Sequence, residues 1–426
     1  MTVVGAGKIG LPLAGQYASH GWRVIAVDID PSVVATINAG RSHVDEPGLD
    51  ELVADAHAGG RLRATQDARA AAAESDVVVL IVPIVVDAAA RPDRSAMEAA
   101  VDALAPGLRP GTLVIFETTM PIGDTRQRYA PRLAAGSGLP VETAGDAGVL
   151  VAFSPERVYT GATFANLAAY PKLVGGVGPR STERAVAFYR SVLDADVVPM
   201  ASAEAAEFAK LAETTYRDVN IALANEFARV ADEAGVDVLE VIAAANSQPY
   251  SHIHQPGLGV GGHCIPVYPH FLLELVPSLL LVADARRIND EQSHVAVEMA
   301  REHLGGLDGR TVLVLGLTYR AGVKELAFSR ALPLIAELAA AGARVLAYDP
   351  LLDAGETERT GATAWSWGEM AKDVDAIITQ TADARFAAVD PAWFPGLRLL
   401  IDGRNSLVDQ PLPRGVAYRG FGVRRP

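Results

Sequence analysis

Three observations predict an α/β protein with two Rossmann-like doubly wound domains joined by a central helical domain with a long helix. Apolar runs alternate with Ala-rich helical patterns in both end thirds of the chain. The stretch "LPLAGQYASHGWRVIAVDIDP" at 11–31 is echoed by "LPLIAELAAAGARVLAYDP" at 332–350, in order, spacing and terminal Asp-Pro. Between the echoes, residues from 203 to about 241 carry apolar side chains every three or four positions with no glycine or proline before Gly235, the pattern of one long amphipathic helix.

Taken in order, "TVV" at 2–4 is a short strand ahead of a glycine turn, and "RVIAVDID" at 23–30 is the next. "DVVVLIVP" at 76–83 and "GTLVIFETT" at 111–119 follow, with helical segments between them, so the sheet is parallel and built of βαβ units. In the last third, "RTVLVLGLTY" at 310–319 reads as strand and turn, and the 332–350 echo as helix then strand. A chain of 426 residues exceeds one ordinary core, so several domains are expected.

Composition narrows the function. Hydrophobic residues make up 50% and charged residues 21%, as in a globular protein. A net charge of −14 argues against binding nucleic-acid backbones. The apolar run "VVVLIVPIVV" at 77–86 is too short to span a membrane and contains Pro83. A single cysteine, Cys264, excludes an intrachain disulfide and fits a reducing compartment, and no signal peptide is evident, so a cytoplasmic protein is expected. Zinc is not expected, because His263, Cys264 and His270 lack a second close ligand pair.

The glycine turn is informative. Gly5, Gly7 and Gly10 in "VVGAGKIG" have G-x-G-x-x-G spacing between a strand and a helix, which lets backbone approach a pyrophosphate at a helix N-terminus. Asp28 ends the next strand, where a carboxylate binds the ribose hydroxyls; Asp30 adds negative charge that would repel a 2′-phosphate, so NAD is expected rather than NADP. A dinucleotide domain and one thiol in the glycine-rich loop "GLGVGGHCIPVYP" at 257–269 suggest a particular chemistry. An alcohol oxidised to an aldehyde is trapped by a thiolate, oxidised again to a thioester and hydrolysed to an acid. Cys264, Lys210 on the long helix and Glu156 in "FSPERV" supply a thiol, a cation and a carboxylate for it.

The ordered motifs "GAGKIGLPLA", "ETTMPIGDT", "FSPERVYTG", "PKLVGG", "EFAKLAETTYRDVNIALANE", "GVGGHCIPV", "RRIND", "LGLTYR" and "YDP" together resemble the UDP-glucose/GDP-mannose dehydrogenase family over nearly the whole chain. The resemblance implies oxidation of C6 of a nucleotide-linked hexose to a uronic acid in two NAD-dependent steps. The wording "GGHCIPV" is similar to the branch acting on UDP-N-acetylhexosamines such as UDP-N-acetylmannosamine. By this resemblance Cys264 is the nucleophile, Lys210 stabilises the oxyanion, Glu156 serves thioester hydrolysis and Thr119 holds a water. It implies Lys8, Ile9, Pro83 and Thr119 at the cofactor beside the glycines and Asp28. At the substrate it implies Glu156, Arg157, Lys210, Thr214, Tyr250 and Arg320, together with Gly257, Gly259 and Gly261. Asn220 and Glu226 are expected to pack. A homodimer is implied, and three domains: 1–198 for NAD, 199–300 helical with the cysteine loop, and 301–426 for the nucleotide sugar.

The sequence departs from the family pattern at several of these places. Thr214 stands for an asparagine and Tyr268 for an aspartate four residues after the cysteine. A phenol, with an ordinary pKa of about 10, is a poor base near neutrality. Ala327 stands for a substrate-binding arginine and Lys324 for an acid, with Arg330 one helical turn on as a substitute. Tyr250, His252 and His254 lie where relatives carry an arginine that reaches the partner's substrate. Two other readings therefore stay open: a two-electron dehydrogenase of a nucleotide sugar or another hydroxy compound, and a non-catalytic NAD- or nucleotide-sugar-binding paralogue.

Overall fold

The structure is a computed structural model and describes residues 1–87, 89–142 and 147–423. The chain forms two compact units, Met1–Glu213 with His270–Pro277, and Thr214–Pro269 with Ser278–Pro426.

The first unit is built on strands β1 (Thr2–Val4), β2 (Val24–Val27), β3 (Leu62–Thr65) and β4 (Val77–Leu80), then a small hairpin of β5 (Val85–Val86) and β6 (Pro92–Asp93). β7 (Leu113–Phe116), β8 (Leu150–Phe153), β9 (Lys172–Gly176) and β10 (Val197–Pro199) complete it. The main sheet runs β10-β9-β8-β7-β4-β1-β2-β3. Its neighbours are parallel except β8 and β9, which are antiparallel. The four strands expected from sequence are present, β1 with the expected bounds and the other three shorter, because residues past Val27, Leu80 and Phe116 leave the ladder to form the loops at the carboxyl edge. β1, β4, β7 and β8 are buried along their whole length, as strands covered on both faces must be. Val3, Ala26, Val79, Ile115 and Ala152 meet Leu11, Leu13, Ala14 and Tyr189 in one apolar core.

The second unit has its own sheet. β11 (Thr311–Leu315), β12 (Arg344–Tyr348), β13 (Thr363–Ala364), β14 (Val374–Thr379), β15 (Leu399–Asp402) and β16 (Ala417–Gly420) run β13-β12-β11-β14-β15-β16, all parallel. Order reverses between β11 and β14, as it does between β1 and β4, so the echo in sequence is an echo in topology. Its core gathers Val312, Val314, Ile377 and Ile401 with Ala224, Ala228 and Ala231 of the long helix.

The long helix covers Ala203–Ala234, shorter than expected. Gly235 adopts φ +69°, and the Val236 N–H donates back to the Ala231 carbonyl at 3.1 Å, a left-handed glycine stop. Asp237 then accepts from the Leu239 N–H at 2.7 Å and starts a separate helix, Val238–Ala245. Among the described residues no helix is long and apolar enough to cross a membrane.

Candidate active site

Because β1, β2, β4, β7 and β8 are parallel, their carboxyl ends line one edge of the first sheet. That edge receives the glycine turn, Asp28, Pro83, Thr119 and Glu156 from five separate loops. Gly5 has φ +93°, and a Cβ on Gly10 would lie 1.7 Å from the Gly5 carbonyl oxygen, so turn and helix Gly10–Ser19 close only with glycine. A Cβ on Gly7 would meet nothing within 4 Å, the open approach a pyrophosphate needs. Asp28 accepts from the Ala6 N–H at 2.9 Å and the Asp30 N–H at 3.0 Å, which fixes its half-buried carboxylate beside the turn. Asp30 caps the helix Pro31–Asn38 through Ser32 N–H at 2.7 Å. These residues fit NAD. Lys8 and Pro83 are exposed, Ile9 is half-buried and Thr119 is buried. The corresponding acid of the second sheet, Asp349, is spent on structure: it is buried and accepts from Leu317 N–H, Thr318 N–H and the Thr318 hydroxyl at 2.7, 2.9 and 3.0 Å.

Glu156 follows β8 and is held on three sides. Its Oε1 accepts from the backbone N–H of Arg157 at 2.7 Å and of Val158 at 3.1 Å, and its Oε2 accepts from Lys172 Nζ at 2.7 Å. Lys172 opens β9, and since β9 runs against β8, its first residue lies at the carboxyl edge. The same ammonium reaches Glu117 Oε2 at 3.1 Å, and Glu117 Oε1 accepts from the Tyr17 and Tyr189 hydroxyls at 2.9 and 2.5 Å. Burial pushes the Glu117 carboxyl above its usual range. Burial opposes charge on Glu156 most strongly, but the Lys172 ammonium, the Arg157 N–H and the Glu117 carboxyl together hold that carboxyl below the usual range. Lys210 is buried and pairs with Glu213 Oε1 at 3.1 Å, whose Oε2 accepts from Arg157 Nε at 3.0 Å. Glu156, Arg157 and Lys210, expected from sequence, are thus brought into one neighbourhood of the first unit. Glu117, Lys172 and Glu213, which join them, were not singled out as site residues; all three lie in motifs that carry the family resemblance, "ETTMPIGDT", "PKLVGG" and "EFAKLAETTYRDVNIALANE", and the meaning of Lys172 depends on the direction of β9.

In the second unit Cys264 is exposed, in the loop just before helix Tyr268–Leu275. Its carbonyl accepts from the Tyr268 N–H at 2.9 Å and its sulfur lies 3.7 Å from the Tyr268 hydroxyl. The tyrosine that replaces the expected acid is therefore the sulfur's neighbour. The loop glycines are packed against the protein itself. A Cβ on Gly257 would lie 2.5 Å from the Gly403 carbonyl oxygen, on Gly259 2.8 Å from that of Asn289, and on Gly261 2.7 Å from that of Phe328. Gly262 N–H donates to the Ala327 carbonyl at 3.0 Å, so the backbone at the position where an arginine was expected braces the cysteine loop.

Arg330 does not stand free to replace the missing arginine. Its Nη1 pairs with Asp290 Oδ1 at 2.9 Å and its Nη2 donates to the Asp290 carbonyl at 2.5 Å. Lys324 pairs with Glu356 at 2.7 Å. Thr214 is buried, Arg320 is half-buried beside the Tyr319 ring, and Tyr250 is 93% exposed. Asn220 packs as expected, donating to the His252 carbonyl at 2.7 Å and accepting from His254 N–H at 2.8 Å, whereas Glu226 is exposed.

A glycine cradle with its ribose acid and a second α/β unit of the same strand order define a dinucleotide-dependent dehydrogenase with a second ligand-binding half. Residues 1–193 match the NAD-binding domain of the UDP-glucose/GDP-mannose dehydrogenase family, 204–291 its central domain and 313–409 its UDP-binding domain. The chain belongs to that family and is an NAD-dependent oxidoreductase acting on nucleotide sugars. It is similar to the UDP-N-acetyl-D-mannosamine dehydrogenase of Pyrococcus horikoshii, 34% identical over 99% of both chains, and that enzyme's structure superimposes with a TM-score of 0.89. The NDP-N-acetyl-D-galactosaminuronic acid dehydrogenase of Ralstonia nicotianae is 37% identical over 79% of each chain. A UDP-N-acetyl-mannosamine dehydrogenase structure from Staphylococcus aureus is 30% identical, covers 99% of this chain and 98% of that one, and gives a TM-score of 0.83.

Proposed function

We propose that the protein oxidises the C6 hydroxyl of a UDP-hexose or UDP-N-acetylhexosamine, the latter resembling UDP-N-acetylmannosamine, to the uronic acid by removing four electrons. The observation that carries this reading is the sole cysteine, Cys264, exposed on a loop that its own glycines hold in place. NAD held at the glycine turn would supply the hydride acceptor for each oxidation. Cys264 as thiolate adds to the C6 aldehyde to give a thiohemiacetal, whose oxidation leaves a thioester. Lys210 holds the developing oxyanion. Glu156 takes a proton from a water oriented by Thr119; the water's oxygen bonds to C6 and the thiol leaves, giving the carboxylate. Arg157, Thr214, Tyr250, Arg320 and the loop glycines bind substrate, and Lys8, Ile9 and Pro83 flank the cofactor. The three-domain division at 1–198, 199–300 and 301–426 is kept, supported by the family-model matches.

Two copies associate through the long helix, where Phe208, Tyr216, Leu223 and Val230 are exposed at spacings of about two turns. The working compartment is the cytoplasm, in keeping with a free thiol.

The second reading, a two-electron oxidation that stops at the aldehyde, draws on Tyr268, which sits at the sulfur in place of an acid. A panel of nucleotide sugars, purified protein and NAD separates the two. Two NADH per sugar and a 6-carboxylate product are expected; one NADH per sugar supports the second reading, and no turnover across the panel contradicts both.

A further inference from the structure

The buried charges behind Glu156 have no part in the chemistry above. Lys172, Glu117 and Glu156 form a line of alternating charge in which the lysine side chain is 5% exposed, Glu117 0% and Glu156 10%. An ammonium and two carboxylates at this depth lose much of their hydration, an arrangement that persists only when every group is paired. Lys172 is paired twice and also lies 4.9 Å from the centre of the Tyr189 ring. Glu117 takes Lys172 on one oxygen and two tyrosine hydroxyls on the other. Tyr17 belongs to helix Gly10–Ser19, which starts at the dinucleotide turn, so the line joins the cofactor helix to Glu156.

A carboxylate has about four acceptor directions. Arg157 N–H, Val158 N–H and Lys172 use three of those of Glu156, and the Glu117 carboxyl lies within reach of a shared hydrogen bond with it. We infer that Lys172, anchored by Glu117, is a positioning residue that keeps Glu156 ionised and fixes the orientation of its carboxylate. The inference rests on the reading of Glu156 as the base of thioester hydrolysis. A base acts only when ionised, so activity rises with pH through its pKa. An adjacent ammonium lowers that pKa and extends activity to lower pH. The Glu156 carboxyl is held below its usual range by Lys172, the Arg157 N–H and the Glu117 carboxyl against its burial, while burial and the neighbouring Glu156 hold that of Glu117 above it.

The test reads Glu156 directly and needs no substrate. Infrared difference spectra of the carboxyl band are recorded against pH for wild type, Lys172→Met, Lys172→Arg and Glu117→Gln, with Glu156→Gln identifying the band. Lys172→Met is expected to raise the Glu156 midpoint by about 1–3 pH units and Lys172→Arg to restore it. Glu117→Gln, which keeps a neutral hydrogen-bonding group beside both partners, is expected to move it by less than Lys172→Met does. A merely structural role predicts no dependence on the charge at position 172. An unmoved midpoint in Lys172→Met, a midpoint that Lys172→Arg does not restore, or a larger shift in Glu117→Gln than in Lys172→Met overturns the inference. If Lys172→Met does not fold, Lys172→Gln is read in its place, and an unmoved midpoint there overturns it. Separately, Glu156→Gln given NAD and UDP-N-acetylmannosamine is expected to accumulate an acyl adduct on Cys264 by intact mass. A titrating pair with turnover but no such adduct overturns the reading of Glu156 as base while leaving the ion-pair geometry standing.

Discussion

Cys264 and Tyr268 are four residues apart, one turn of helix, which is why the hydroxyl reaches the sulfur at 3.7 Å. A hydroxyl there can donate to a thiolate but cannot take a proton from water as a carboxylate does, so in the proposed mechanism proton transfer falls to Glu156. Tyr268→Asp tests this division. Placing an acid at that position is expected to speed decay of the Cys264 acyl adduct by roughly a hundredfold or more, the usual contribution of a general base. An unchanged decay rate would mean the loop works around the tyrosine. At this scale sequence reading went furthest where chemistry is local. The glycine turn and the place of Asp28 beside it were legible because turn, helix and acid lie within one βαβ unit, and Cys264 stood out as the chain's only thiol. Glu117 and Lys172 were not, because their significance comes from being 55 residues apart in sequence and 3.1 Å apart in space. Arg330 looked free in sequence and is bound to Asp290 in the fold.

Among elements, helix Gly10–Ser19 is the most tightly specified. Gly10→Ala would put a methyl group 1.7 Å from the Gly5 carbonyl oxygen, where only backbone movement relieves the clash. We expect NAD affinity in calorimetric titration to fall by at least about a hundredfold, with stability lowered by roughly 1–3 kcal/mol. Gly7→Ala, whose Cβ has open space, should fold normally, so any loss of NAD binding there reports on the pyrophosphate approach. The long helix shows a different limit of sequence reading. Its period was plain, but its end was set by the left-handed Gly235 rather than by loss of amphipathic character, because the next helix continues the pattern. Its exposed stripe makes the prediction for association. Leu223→Glu is expected to convert a dimer to a monomer in analytical ultracentrifugation, and a dimer unaffected by that change would place the interface elsewhere.

For the whole molecule, the two sheets repeat one strand order but differ in how they use it. The first leaves its acid, Asp28, half-buried at the open turn, while the second buries Asp349 under its own loop. One half therefore carries the dinucleotide signature, while the other repeats its strand order without an open acid at the turn. Fold class was legible because both halves repeat a pattern of strand, helix and strand that parallel sheets require. The antiparallel β9 was not, since nothing within its five residues marks its direction. That single reversal brings Lys172 to the carboxyl edge.

The central claim is that one thiol carries both oxidations to completion, and the most direct test counts NADH in wild type and Cys264→Ser with the nucleotide sugar that turns over. The account predicts two NADH per sugar and a carboxylate for the wild type, with the variant losing turnover to the acid by about a hundredfold or more. A Cys264→Ser enzyme that keeps most of its rate, or a wild type that stops at one NADH per sugar, would contradict it.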